Sequence, residues 1–237
     1  LRQAGVGFIA GISADYPGSL LDVRLRPDID FVDDSPEPER ALAVARAAGF
    51  DLPAGDGGAL AVRPPPEVTE LVGAGDYVVL HPGATAPARA WSPARCAEAV
   101  EALHADGHRV LVTGHDGERE LTARVAGRRG VDLGGATRLD ELAGVLRGAR
   151  AVVVGNTGPA HLAAAVGTAV VSLFAPVVPA VRWAPYGVPT VLLGDQRAPC
   201  RGSRARRCPV PGHPCLNSVT AGDVVGAVRK LCEGGDR

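Results

Sequence analysis

The chain has 237 residues, 46% hydrophobic and 22% charged, which is enough for one large domain or two small ones. Its formal net charge of -1 supplies no overall attraction to nucleic acid or to a membrane surface. No apolar run reaches bilayer-spanning length, no basic-plus-apolar leader opens the chain, and with 31 Gly, 20 Pro and only 4 Phe the core must rest on Val, Leu and Ala.

A chain that opens at Leu1 and contains no Met is expected to be processed or taken from a longer protein. Val6–Ile12 reads as a strand with no helix before it. Arg26–Pro38, rich in acidic residues and proline, reads as a solvated connection. Glu39–Gly49 reads as an alanine-rich helix closed by glycine. Leu52–Gly75 mixes Gly, Pro and short apolar pieces such as Ala59–Val62, and reads as an interdomain linker.

From Tyr77 onward the pattern is regular. Strands are expected at Tyr77–His81, Arg109–Thr113, Val131–Leu133, Ala151–Val154, Ala169–Phe174 and Val191–Leu193. Between and after them lie expected helices at Pro93–Asp106, Gly117–Ala126, Leu139–Arg147, Pro159–Val166 and Ala221–Leu231. Ser92 is suited to cap the first of these, with Pro93 just inside it. Alternating strands and helices of this length imply right-handed crossovers and a parallel, doubly wound, Rossmann-like sheet of the α/β class. No internal repeat and no G-x-G-x-x-G fingerprint is present, which argues against a nicotinamide or flavin site.

Ligands of such sheets bind beyond the carboxyl ends of the strands. Three strand ends carry polar turns: His81-Pro-Gly-Ala-Thr85 with Arg89-Ala-Trp91-Ser-Pro93, Thr113-Gly-His-Asp-Gly-Glu118, and Asn156-Thr-Gly-Pro-Ala-His161. Parallel strands bring these turns to one edge, where they offer a guanidinium, a hydroxyl, a carboxylate and a helix start. In the third turn Pro159 reads as the first helical residue and Gly158 as its cap, so first-turn amides and the helix dipole face an anion, with His161 as a further donor. This set suits a nucleoside diphosphate: arginine and amides for the phosphates, a carboxylate for ribose hydroxyls. The plainer alternatives are an ordinary strand–helix junction, a solvated Arg89 and a Glu118 that only complements its helix dipole.

The ordered set His81-Pro-Gly-Ala, Arg89 before Trp91 and Pro93, Gly114 to Glu118, and Asn-Thr-Gly-Pro-Ala-His-Leu-Ala-Ala-Ala resembles glycosyltransferase family 9, the ADP-heptose:lipopolysaccharide heptosyltransferase group. The likeness is distinct from about Tyr77 to the end and fainter back to Leu1. It implies the C-terminal half of a GT-B glycosyltransferase, with residues 59–237 as the nucleotide-sugar-binding domain and 1–58 as a remnant of the acceptor domain and linker. By motif, Thr85 and Arg89 would hold the diphosphate, Arg89 standing where the family often has lysine. Glu118 would bind the ribose. Gly158, Pro159, Ala160 and His161 would form the phosphate-facing helix start, Thr157 would join the donor site, and Asn156, replacing a customary Asp, would sit beside the donor's phosphates or sugar.

The reaction so implied is transfer from an ADP-sugar to an acceptor hydroxyl with inversion, Arg89 stabilising the leaving group. The resemblance requires no cofactor and no metal, and it assigns the general base to an N-terminal aspartate upstream of this chain. It implies a glycolipid or other saccharide acceptor, no nucleic acid, and a cytoplasmic protein in at most peripheral contact with the membrane. Two other readings stand beside it: a noncatalytic nucleotide-sugar-binding module, and a nucleotide-sugar epimerase of the same architecture.

Cys200, Cys208 and Cys215 lie in a Pro/Arg-rich loop that also contains His213. Their spacing lacks the C-x-x-C pairs of common zinc sites, so a thiol cluster or disulfide is the simpler reading. Cys96 and Cys232 fall in helices and read as small buried hydrophobes. Arg201, Arg204, Arg206 and Arg207 give the loop a positive patch, read as solvated unless it meets an anionic acceptor or membrane.

Overall fold

The computed structural model describes residues 1–14 and 20–234. The chain forms two compact units, Leu1–Ala59 with Val181–Trp183, and Leu60–Ala180 with Ala184–Arg237.

In the first unit, strands β1 (Ala10–Ile12) and β2 (Val23–Leu25) pair in parallel, Ala10 opposite Val23 and Ile12 opposite Leu25. Helix α1 (Glu37–Ala47) follows. The expected strand Val6–Ile12 is thus shorter, preceded by a 3-10 turn at Arg2–Ala4, and β2 was not anticipated. The acidic Arg26–Pro38 segment is more ordered than a solvated connection. Asp33 receives the buried Arg40 at 2.6 Å, and the Arg40 guanidinium lies 4.8 Å from the Phe31 ring centroid. Its acidic residues therefore neutralise a buried cation, a role that charge density alone does not reveal.

The second unit opens with a one-turn helix, α2 (Thr69–Val72), and Ala59–Val62 forms no strand. Its sheet consists of β3 (Val78–His81), β4 (Val110–Gly114), β5 (Val131–Gly134), β6 (Ala151–Gly155), β7 (Val170–Leu173) and β8 (Thr190–Leu193). The spatial order is β5-β4-β3-β6-β7-β8, and all neighbours are parallel. Its helices are α3 (Pro93–Ala105), α4 (Arg119–Ala126), α5 (Leu139–Arg147), α6 (Gly158–Ala165), α8 (Pro214–Asn217) and α9 (Ala221–Glu233), while α7 (Ala180–Trp183) falls, but for Ala180, in the first unit.

Period-2 alternation splits the core into two layers. Val78, Leu80, Val110, Val112 and Val153 face α3, α4 and α9, whereas Val79, Leu111, Val152 and Val154 face α5 and α6. Because the central strands are covered on both faces, they read in sequence as unbroken apolar runs. Ser92 caps α3 by accepting from the Arg95 amide at 3.2 Å.

This strand order has one reversal point. The chain first steps outward from β3 to β4 and β5, then returns to the other side of β3 with β6 and continues to β7 and β8. A crevice therefore opens between the carboxyl ends of β3 and β6, where the two following connections diverge. His81, the last residue of β3, stands beside Val154 of β6 and so marks its floor.

Candidate nucleotide site at the switch point

Two adjoining cavities lie at this crevice, wholly within the second unit. The larger, about 500 Å³, is walled by His81, Gly83, Thr85, His115, Glu118, Thr137 to Leu139 and Gly158, among others. The smaller, about 220 Å³, is walled by Thr85, Ala86, Arg89, Asn156, Thr157, Gly158, Arg204, Ala205 and Arg206. They share Thr85, Thr157 and Gly158, so a ligand can run from one into the other.

Two glycines permit this geometry. A Cβ at Gly83 would meet the Glu118 carboxylate oxygen at 2.0 Å, so glycine is what lets the carboxylate lie across the β3 loop. A Cβ at Gly155 would meet the Arg89 carbonyl at 2.9 Å, so the segment carrying Arg89 can sit against the end of β6. Glu118 is further fixed by the His115 amide, which donates to it at 3.0 Å. Trp91 anchors the same segment from below: its indole N–H donates to the Leu216 carbonyl at 3.0 Å, and the side chain is buried.

The smaller cavity carries an unusual set of polar atoms. Arg89 Nε, Asn156 Nδ2 and Thr157 Oγ1 are all buried and have no hydrogen-bond partner. Leaving a buried donor unpaired costs about 1–3 kcal/mol, and these three belong to residues that line one cavity.

The helix start differs from the sequence expectation by one residue. Thr157, extended at φ -145°, is the N-cap of α6, and Gly158 is its first residue. Pro159 has no N–H and the Ala160 amide donates to the Thr157 carbonyl at 3.1 Å. The Gly158 amide, without an intrahelical partner by its position, is what this helix end presents. Ala160 is buried in the core, and neither it nor His161 lines either cavity. His161 is the fourth residue of the helix, one turn from its mouth, and burial lowers its pKa. Thr85, Arg89, Glu118, Asn156, Thr157, Gly158 and Pro159 are the anticipated residues that come together.

His81 is buried, its Nδ1 lying 3.0 Å from Thr113 Oγ1, and burial pulls its pKa down to about 4, against an opposing pull from Glu118. Its folded pKa is below the unfolded value of 6.5, so the unfolded chain takes up the proton first as acid is added. The stability contributed by neutral His81 is complete above pH 6.5 and is lost as pH falls towards 4, on the order of 3 kcal/mol in all. Urea midpoints measured from pH 7 to 4.5 should fall more steeply in the parent chain than in His81→Gln. Parallel slopes would contradict this account.

Two stretches lining the cavities escaped the sequence reading. Thr137 and Arg138 of the β5–α5 connection, with Leu139 at the start of α5, reach the site because β5 lies beside β4. Arg204 and Arg206, read as solvated charges, border the smaller cavity. The cysteines of that loop are free thiols, with Cys200 and Cys215 buried in the core. Among the described residues no cluster of His, Cys, Asp and Glu is disposed to hold a metal ion. No described helix is long and apolar enough to cross a membrane.

A six-stranded parallel sheet wound in this order is a Rossmann-like α/β fold of the kind found in GT-B glycosyltransferases. Residues 4–212 match the model of glycosyltransferase family 9 (heptosyltransferase), and the chain belongs to that family. It is 30% identical over 165 residues to lipopolysaccharide heptosyltransferase 3 of Escherichia coli, covering 66% of this chain and 47% of that protein. The chain thus spans about half the length of the curated relatives it matches. Its fold is similar to that of E. coli ADP-heptose lps heptosyltransferase II (TM-score 0.72, 20% identity, covering 99% of this chain and 72% of that one). It is also similar to E. coli heptosyltransferase WaaC with ADP-2-deoxy-2-fluoro heptose (TM-score 0.56, 24% identity, covering 81% and 55%).

Proposed function

We propose that this chain is the donor-binding part of a glycosyltransferase that moves a sugar from an ADP-sugar to an acceptor hydroxyl with inversion. In this reading residues 59–237 are the donor domain, and 1–58 belong to the acceptor-binding side. The nucleoside occupies the larger cavity, with Glu118 accepting hydrogen bonds from the ribose hydroxyls. The diphosphate lies across Thr85, Gly158 and Arg89. The relatives named for lipopolysaccharide suggest a glycolipid acceptor, reached from the cytoplasmic face of the membrane.

The observation that carries the reading is the convergence of Thr85, Arg89, Glu118 and the Gly158 helix start on two adjoining cavities at the reversal of the sheet, with no Asp or Glu lining the smaller one. Departure of the nucleoside diphosphate builds negative charge on the oxygen leaving the sugar. A guanidinium and an amide already fixed at that point stabilise the charge without reorganising when it forms. The acceptor hydroxyl must also lose its proton, and the family resemblance gives that step to an aspartate of the acceptor domain.

The reading is tested by a thermal-shift panel of ADP, UDP, GDP and CDP. At one hundred times its dissociation constant a ligand adds about 2.7 kcal/mol of stability. ADP should give the largest shift, and the absence of any shift across the panel would overturn the proposal.

Gly83→Ala probes the ribose contact. The nearest atoms the new methyl meets are those at the movable end of Glu118, so melting temperature should hardly change. Nucleoside diphosphate affinity should fall about 10–100-fold, the worth of hydrogen bonds to a charged group. Glu118→Ala should show a similar loss, and the double variant should lose no more than either alone. Additive losses would separate Gly83 from Glu118.

A further inference from the structure

The outer wall of the smaller cavity is a strap, residues 198–216, which the donor reading above leaves without a task. It is a built feature. Cys200 and Cys215 are 3% and 1% exposed and root its two ends in the core, and the Ala205 side chain packs on the same core. The Gly202 amide donates to the Pro176 carbonyl and the Arg204 amide to the Val177 carbonyl, each at 2.8 Å. From the other side the Ala88 amide donates to the Arg206 carbonyl at 3.0 Å, one residue before Arg89. Arg204 holds φ 55°, a left-handed conformation that a non-glycine residue keeps only where its surroundings impose it. These ties bring Arg204 and Arg206 to the cavity that Arg89 borders.

The charge balance there is one-sided. Three arginines line the cavity and no Asp or Glu does; the buried side chain among them, Asn156, is neutral and 3% exposed. In a nucleoside diphosphate sugar, the phosphate attached to the sugar carries one negative charge. As the acceptor oxygen bonds to the anomeric carbon, the bond from that carbon to the phosphate oxygen breaks and its electron pair stays on the oxygen. The acceptor's proton passes to the base. The terminal phosphate thereby gains a second charge, so guanidiniums with no competing carboxylate fit the departing group better than the intact donor.

We infer that Arg204 and Arg206 are leaving-group residues, binding with Arg89 the terminal phosphate of the departing nucleoside diphosphate. The assignment rests on the donor reading above and extends its catalytic set to the strap. A solvated loop would contribute only a diffuse field, which attracts every anionic ligand alike.

The test is calorimetric titration of the parent chain and of Arg204→Gln/Arg206→Gln with a nucleoside diphosphate and the matching monophosphate, at fixed ionic strength. The base is the one that binds best in the panel. The expected result is a 10–100-fold weaker diphosphate affinity in the variant, about the worth of one charge-assisted contact, with monophosphate affinity changed less than about threefold. Equal losses for both ligands, or no loss, would overturn the strap assignment while leaving the donor reading intact. A parent chain that binds no nucleoside diphosphate removes both. Both side chains are exposed, so the variant should fold; Arg206→Gln alone, which leaves the left-handed residue untouched, should show the same selectivity with a smaller loss and serves if the double variant does not fold.

Discussion

Arg89→Ala is expected to lower nucleoside diphosphate affinity by about 10–150-fold, the equivalent of roughly 1.5–3 kcal/mol for hydrogen bonds to a charged group. Stability should move in the opposite direction or stay level. Arg89 Nε is buried and unpartnered, so the unliganded fold bears a desolvation cost that alanine removes. The backbone of the segment is held independently, by the Arg89 amide donating to the Ala86 carbonyl at 2.8 Å and the Ala88 amide to Arg206. Titration calorimetry and a urea curve on the same preparation check both halves. A variant that binds as tightly as the parent takes Arg89 out of the site, and one that unfolds makes it a structural residue.

Trp91→Ala should be the most damaging single change to the fold, costing about 3–5 kcal/mol. Trp91 is 3% exposed and lies in the same core layer as Leu80, Cys96 and Leu216. Removing it leaves a cavity under the Arg89 segment and strands the Leu216 carbonyl that its indole N–H satisfies. Trp91→Phe retains most of the packing and loses that hydrogen bond, so it should cost about 1–3 kcal/mol. Urea unfolding followed by circular dichroism distinguishes the cases. A near-neutral Trp91→Ala would mean that this corner is not packed as described.

The doubly wound sheet was legible because its strands are covered on both faces. Val78–Leu80 and Ala151–Val154 carry their burial as plain apolar runs, and Ser92 and Pro93 announce α3. β2 was not legible: three residues that pair only with another three-residue strand leave no periodic trace. The convergence of Thr85, Arg89, Glu118 and the Asn156 turn followed from parallel strands alone. What lay beyond reach needed the strand order and the core contacts. Thr137, Arg138 and the start of α5 join the site because β5 neighbours β4. Arg204 and Arg206 do so because two cysteines are buried on either side of them. His161 sits one residue deeper in α6 than expected, since the cap is Thr157 and not Gly158, and it lines neither cavity. A side chain four positions into a helix no longer faces its mouth.

The claim on which the rest depends is that the two cavities are one continuous diphosphate site. A crystal structure of this chain soaked with ADP addresses it directly. The terminal phosphate should lie within hydrogen-bond distance of the Arg89 guanidinium and the Gly158 amide, and the ribose hydroxyls should meet Glu118. ADP bound away from the β3–β6 crevice, or phosphates turned from Arg89 at full occupancy, would contradict it.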